Sequence, residues 1–277
     1  MRPVGEWSAG VAYADQILDV PYLGTDRGGF TDSPRTVEQA IILSGEVGVS
    51  ERFSLTGAVP LRRADLSGAD AFTTTGAGDL QIGVRQALTN PEKISGFSAV
   101  AIYGAWVPTG GQNDTETLGE NVAFSRGAVT LNLGGETAWK AGAFRISGRI
   151  DGQFPLGADR SGYRFAPTRN IAATLSHPLA GEKLSWLLGA SVAYIGGDKM
   201  NGVPIATRGG VITRATGGIL WSVARRQNVG LLFSRLIGAD MNGDGTTREG
   251  QLVARNEFVV GWQGTFGTHR HPVDRDH

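Results

Sequence analysis

The stretch Phe144-Arg145-Ile146-Ser147-Gly148-Arg149-Ile150-Asp151-Gly152-Gln153 alternates without a slip. Phe144, Ile146, Gly148 and Ile150 fall on one side, and Arg145, Ser147, Arg149, Asp151 and Gln153 on the other. Successive side chains of a β-strand point to opposite faces, so this segment has one apolar and one charged face. The pattern recurs along the chain and never gives way to helical spacing. An apolar outside around a wet inside is what a barrel standing in a lipid bilayer requires. The fold expected is therefore all-β, a single antiparallel transmembrane β-barrel.

Composition narrows the function classes. Of 277 residues 42 are glycine, about twice the usual share of roughly 7%, which suits turns, bulges and crowded interiors. Basic and acidic residues both total 26. With no basic stripe interleaved with aromatics, nucleic acid is not an expected partner. The chain has no cysteine, which excludes disulfides, thiol catalysis and thiolate metal sites. No apolar run approaches the ~18 residues of a membrane-spanning helix. An envelope protein must be exported, yet Met1 to Glu6 leads straight into a strand-like segment with no signal peptide. The expectation is a mature or renumbered chain.

About twelve strands are expected, an even number as bacterial barrels require. They lie within 6–18, 36–50, 52–66, 78–89, 97–108, 121–138, 143–157, 165–179, 184–196, 209–225, 228–238 and 251–266. Links after the even strands are short: Ser50-Glu51, Thr89 to Gly96, Lys140-Ala141-Gly142, Ala180-Gly181-Glu182-Lys183 and Arg226-Gln227. Links after the odd strands are longer and more polar: 19–35, 67–77, 109–120, 158–164, 197–208 and 239–250. Short periplasmic turns alternating with long extracellular loops are a barrel's signature and place both termini on the periplasmic side. No internal repeat of about 20–50 residues appears. Residues 1–266 read as one barrel domain and 267–277 as a polar tail.

Aromatics cluster near strand ends. Trp186, Leu188, Ala190, Val192 and Tyr194 share one face. Tilted at ~40°, the span from Trp186 to Tyr194 covers ~20 Å along the barrel axis, close to the ~25 Å apolar band. Phe258, Val260, Trp262 and Phe266 face the same way on the last strand, and Phe97 and Tyr103 repeat the arrangement. The membrane girdle expected is Trp186, Tyr194, Phe258, Trp262 and Phe266. Filling a soluble β core is the alternative, but it leaves the charged opposite face unexplained.

Few motifs carry chemistry. Gly76-Ala77-Gly78 is not a phosphate loop, because no helix follows to hold an anion; a tight bend and strand entry is expected, with Asp79 starting the inward face. Asp240-Met241-Asn242-Gly243-Asp244-Gly245 matches the first half of a calcium loop, with Asp240, Asn242 and Asp244 as candidate Ca²⁺ ligands. Gln251 stands where the bidentate Glu belongs, so an Asp/Asn/Gly turn is the alternative. His269, His271 and His277 lie in the tail. His177 precedes Pro178 near a periplasmic turn and is expected to be structural. Some twelve-stranded barrels hydrolyse lipid, but Ser176 and His177 are strand neighbours on opposite faces. No enzyme and no cofactor other than that calcium are expected.

Three motifs carry a family resemblance: Val59-Pro60-Leu61 closing a strand, Gly76-Ala77-Gly78-Asp79-Leu80 opening the next, and Asn256 to Phe266 ending on an outward aromatic. Together they resemble Gram-negative outer-membrane proteins of the meta-pathway phenol-degradation-like family. The resemblance implies the bacterial outer membrane as location and a small aromatic or hydrophobic cargo. It also implies a terminal Phe read by the barrel-insertion machinery. Here eleven residues follow Phe266, a departure from the usual pattern.

The lumen-lining residues expected are Glu38, Glu46, Gln81, Arg85, Arg145, Arg149, Asp151, Gln153, Arg214, Arg255 and Glu257. Their mixed signs argue against strong ion selectivity. Two functions fit. One is an outer-membrane channel for passive or facilitated uptake of small molecules. The other is a structural or partner-binding barrel with a blocked lumen, a subunit of an envelope complex. The remaining partners expected are outer-membrane lipid and lipopolysaccharide.

Overall fold

Alternating side chains turn into a closed wall. The structure, a computed structural model, describes residues 4–23, 26–27, 35–67, 71–89, 96–110, 124–179, 183–205, 208–242 and 251–267. In chain order the strands are β1 (Trp7–Leu23), β2 (Asp26–Arg27), β3 (Arg35–Ser50), β4 (Phe53–Ser67), β5 (Phe72–Ala77) and β6 (Leu80–Ala87). Then come β7 (Phe97–Val107), β8 (Thr130–Ala141), β9 (Phe144–Pro155), β10 (Tyr163–Arg164), β11 (Thr168–Pro178) and β12 (Leu184–Ile195). The last are β13 (Lys199–Met200), β14 (Val203–Pro204), β15 (Gly210–Ala224), β16 (Gln227–Met241) and β17 (Gln251–Phe266).

Each wall strand pairs antiparallel with its sequence neighbours, and β17 pairs with β1 to close the sheet. β5 and β6 pair with successive parts of β4 and form one wall strand broken at Gly78-Asp79. β2 is a two-residue return on β1. The wall is thus a twelve-stranded antiparallel barrel among the described residues. Closure removes the sheet edge that neither water nor lipid could satisfy. The seam is clamped near the termini, where Trp7 stacks on Phe266 with ring centroids 4.4 Å apart. There Arg226 reaches Glu6 at 3.3 Å and the Gly267 carbonyl at 3.0 Å.

The apolar faces look outward. Ile150 is 58% exposed, Leu188 59% and Ile237 63%, values that only a lipid environment makes favourable across a whole belt. Of the six tryptophans, Trp7, Trp139, Trp186, Trp221 and Trp262 lie on outward positions in the half of the wall nearer the termini. Trp106 faces in. Tyr103 and Tyr194 are outward toward the other end, each 47% exposed. Small apolar clusters sit inside the outer mouth: Val20, Met241 and Val253 on one side, Ala64 with Phe124 on the other.

Three expectations about elements need correcting. The strand expected over 121–138 begins only at Thr130; Phe124 to Val129 is irregular and folds into the lumen, while 111–123 lies outside the described residues. The loop expected over 67–77 is mostly strand, because β5 continues the pairing with β4 up to Leu66. The first and eleventh strands run longer, to Leu23 and Met241, carried by register shifts after Ile17 and Thr213. Tight turns fall at 51–52, 142–143 and 225–226, one residue from the places expected, with Gly142 and Arg226 at φ 61° and 68°. The other two short links lie largely outside the described residues, as do parts of the outer loops.

Candidate functional site

The inward faces of β3, β6, β8, β9 and β11 bring acid and base side by side around the barrel axis. Arg85 Nη2 donates to Glu136 Oε2 at 2.5 Å, and its Nε lies 4.0 Å from Glu46 Oε1. Arg149 Nη1 reaches Glu136 Oε1 at 3.2 Å and its Nε reaches Asp151 Oδ1 at 2.8 Å. Asn170 Nδ2 then donates to Asp151 Oδ2 at 3.1 Å. The ladder bridges β7, whose inward residues there, Val100 and Ile102, are uncharged. Arg149 is 48% exposed, so each pair is worth only about 0–1 kcal/mol. Their joint effect is to hold five charged side chains against the wall.

One backbone feature fits Asp151 into place. A Cβ on Gly134 would sit 2.7 Å from the Ile150 carbonyl oxygen and 2.9 Å from Asp151 Cβ. Gly134→Ala should therefore cost about 1–3 kcal/mol by overpacking and detach Asp151 from Arg149. Chemical denaturation of the refolded barrel measures the first effect.

A second polar set lies nearer the outer mouth. Gln16 Nε2 donates to Glu38 Oε2 at 2.7 Å, and Arg62 Nη2 reaches the same oxygen at 3.3 Å. The irregular segment carrying Phe124 and Arg126 is tied here. The Arg126 backbone N–H donates to Asp79 Oδ2 at 3.0 Å, and Arg126 Nη2 donates to Gln153 Oε1 at 2.8 Å. The Arg126 guanidinium stands 4.9 Å from the Trp106 ring centroid and 5.9 Å from that of Phe165, a cation–π arrangement. Burial lowers its pKa from the ordinary value, and the Asp79 and Asp198 carboxylates oppose that shift. Phe124 packs beside Arg62, 5.8 Å from guanidinium carbon to ring centroid. Gly76 and Gly78 leave room for it: Cβ atoms there would come within 3.2 Å of Phe124 Cδ2 and 3.1 Å of its carbonyl oxygen. The glycines expected to serve a bend thus also seat an inward segment.

Two cavities open into the lumen among the described residues. The outer one, about 450 Å³, is lined among others by Glu38, Arg62, Asp79, Trp106, Phe124 and Arg126. The inner one, about 570 Å³, is lined among others by Arg85, Glu136, Arg145, Ser147, Arg149 and Thr174. Arg85, Glu136 and Arg149 of the charge ladder are thus part of the inner chamber's wall.

The residues proposed from sequence distribute over this geometry. Glu38, Gln81 and Glu257 line the outer chamber, and Arg85, Arg145 and Arg149 the inner one. Glu46, Asp151 and Gln153 join through the contacts given above. Arg214 lies on the inward face of β15, half-buried, and Arg255 pairs with Asp19 at 3.3 Å. Trp262 lies 6.5 Å from Phe266, and Trp186 packs on His177 with centroids 6.1 Å apart. His177 also meets Phe144 at 4.6 Å, on the face opposite Ser176. Asn242 donates its side-chain amide to the Arg208 carbonyl at 3.0 Å, while Asp240 is the penultimate residue of β16 and Asp244 lies outside the described residues. Arg62, Trp106, Phe124, Arg126 and Phe165 were not expected at the site. The one signal for them was the Gly-x-Gly-Asp opening of β6.

A closed twelve-stranded barrel, apolar outside and charged within, defines a transmembrane β-barrel of the bacterial outer membrane. The chain belongs to the family described as "Putative MetA-pathway of phenol degradation", whose model matches residues 25–252. The fold is similar to that of an outer membrane channel from Pseudomonas putida F1, at TM-score 0.78 and 14% identity over 96% of this chain and 97% of that one. It is also similar to the translocator domain of the autotransporter NalP from Neisseria meningitidis, at TM-score 0.54 and 14% identity over 96% and 90%. No curated protein sequence matches the chain.

Proposed function

We propose that the protein is a passive channel carrying small aromatic or hydrophobic molecules across the outer membrane. The observation that carries this reading is the pair of chambers inside the wall, about 450 and 570 Å³, each the size of a small-molecule site. The family's description names phenol degradation, and the Pseudomonas structure is described as a channel. Both support the reading. Cargo would diffuse past fixed charges, with no chemistry on the way. Ser176 and His177 on opposite faces cannot act together as nucleophile and base.

The second reading is a structural barrel with a blocked lumen, favoured by the inward Phe124–Val129 segment and the ladder below it. Single-channel recording in planar bilayers separates the two. Discrete steps are expected of the channel, and none at saturating insertion of the blocked barrel. If ions pass, Arg145→Glu should move the reversal potential toward cations, because Arg145 lines the inner chamber outside the ladder. An unchanged potential in a conducting variant would remove Arg145 from the path. Calcium at Asp240, Asn242 and Asp244 is a separate proposal, checked by whether a chelator lowers the thermal stability of the barrel.

A further inference from the structure

We propose that the periplasmic end of the lumen, where Lys140 and Arg145 stand side by side below the inner chamber, is a binding site for small carboxylate anions with an apolar body. The inference rests on the channel reading and names the charge of its cargo. Lys140 and Arg145 are directly opposite each other in the β8–β9 register. Alternation turns both inward, Lys140 in line with Glu136 and Ala138, and Arg145 in line with Ser147 and Arg149, all of which line the inner chamber. The Lys140 N–H donates to the Gly96 carbonyl at 2.6 Å, away from β9. The pair with Arg145 is therefore the closer, non-hydrogen-bonded kind, with Cα atoms about 4.5 Å apart. Two cations so placed repel each other and destabilise the sheet.

No described acid relieves that repulsion. The acids on the inward faces of the same two strands are engaged higher up, Glu136 by Arg85 and Arg149, and Asp151 by Arg149 and Asn170. Neither the Lys140 ammonium nor the Arg145 guanidinium has a hydrogen bond or an ion pair among the described residues. A carboxylate answers both, one oxygen accepting from Lys140 Nζ and the other from the Arg145 guanidinium. Its body has a place to go. Arg145 opens onto the inner chamber, about 570 Å³, where Val100, Ala138 and Ala172 supply apolar wall. Both cations are exposed, so the site is weak and screened by salt, which suits a cargo that must also leave.

The test uses the full-length barrel in detergent and fluorine NMR titration with para-fluorobenzoate and para-fluorobenzamide, alike in ring and size but different in charge. At low salt the benzoate should bind about two- to tenfold more tightly, the yield of two exposed ion pairs. The preference should shrink at about 0.5 M salt. Lys140→Gln and Arg145→Gln should each remove most of it, whereas Arg225→Gln, which takes the same charge from the β15–β16 turn, should leave it unchanged. Without ligand, neither Lys140→Gln nor Arg145→Gln should unfold at a lower urea concentration than the unaltered barrel, because each removes a repulsion. Earlier unfolding of both would overturn that premise. Equal binding of benzoate and benzamide, or a benzoate preference that survives both substitutions, would overturn the proposal. Benzoate-selective binding by a barrel that shows no conductance would overturn the channel reading and leave this site standing; conductance without benzoate preference would do the reverse.

Discussion

Ile150→Arg should destabilise the barrel by about 2–4 kcal/mol, the cost of a cation on the lipid face near the bilayer midplane. Phe144 marks the lower margin of β9, and at ~2.5 Å of axial rise per tilted residue Ile150 lies about 15 Å above it in a band of ~25 Å. Its side chain is 58% exposed on the barrel's outer surface, so nothing inside the protein would hydrate the new guanidinium. The contrast variant is Gln81→Arg, on the opposite face of the wall. Gln81 lines the outer chamber beside Glu38, Asp79 and Glu257, where an added cation finds water and carboxylates; a change below about 1 kcal/mol is expected. Urea titration of both variants refolded into vesicles measures the difference. Equal destabilisation would mean that the faces have been assigned the wrong way round.

The same strand shows why so much of the fold was legible. In β9 the apolar and charged residues never share a face, so a period of two fixes both the strand and its orientation. The turns were legible too, within one residue, because Gly142 takes a backbone conformation that marks the reversal. Where alternation fails, legibility fails. On β7 the inward residues Val100, Ile102 and Trp106 are as apolar as Tyr103, Ala105 and Val107 opposite, so polarity does not mark the inward face, and Trp106 is placed there only through the outward assignment of Phe97 and Tyr103. Phe124 and Arg126 were less legible still. Val122 and Phe124 mimic the opening of a strand, and what keeps the segment from Phe124 onward out of the wall is Asp79, a long way back in the chain. Contacts of that separation depend on three-dimensional placement, which no local pattern encodes. The ladder lies between these cases: Glu46, Arg85, Arg149 and Asp151 were all expected to face in, but their pairing, and the Glu136 that joins them, follow from register.

Phe124→Ala should open the outer half of the lumen and raise single-channel conductance while leaving the barrel's unfolding temperature nearly unchanged. Phe124 is 6% exposed and packs against Ala64 and Phe72; truncating a buried Phe removes about 3–5 kcal/mol of packing. Among the described residues the segment it anchors is also tied by the N–H to Asp79, the Arg126 bond to Gln153, the Arg126 contacts with the Trp106 and Phe165 rings, and the Leu156 N–H donated to the Val129 carbonyl at the start of the wall strand. The loss falls on local release of the segment rather than on the wall, whose strands are held by their own ladders. Asp79→Ala removes a second tie to the same unit and should raise conductance by a similar amount. The double variant should add little beyond either single one, because a segment already released cannot be released again. Additive gains would show instead that Phe124 and Asp79 narrow the pore at separate points, and a large drop in unfolding temperature would show that the segment belongs to the wall's own stability.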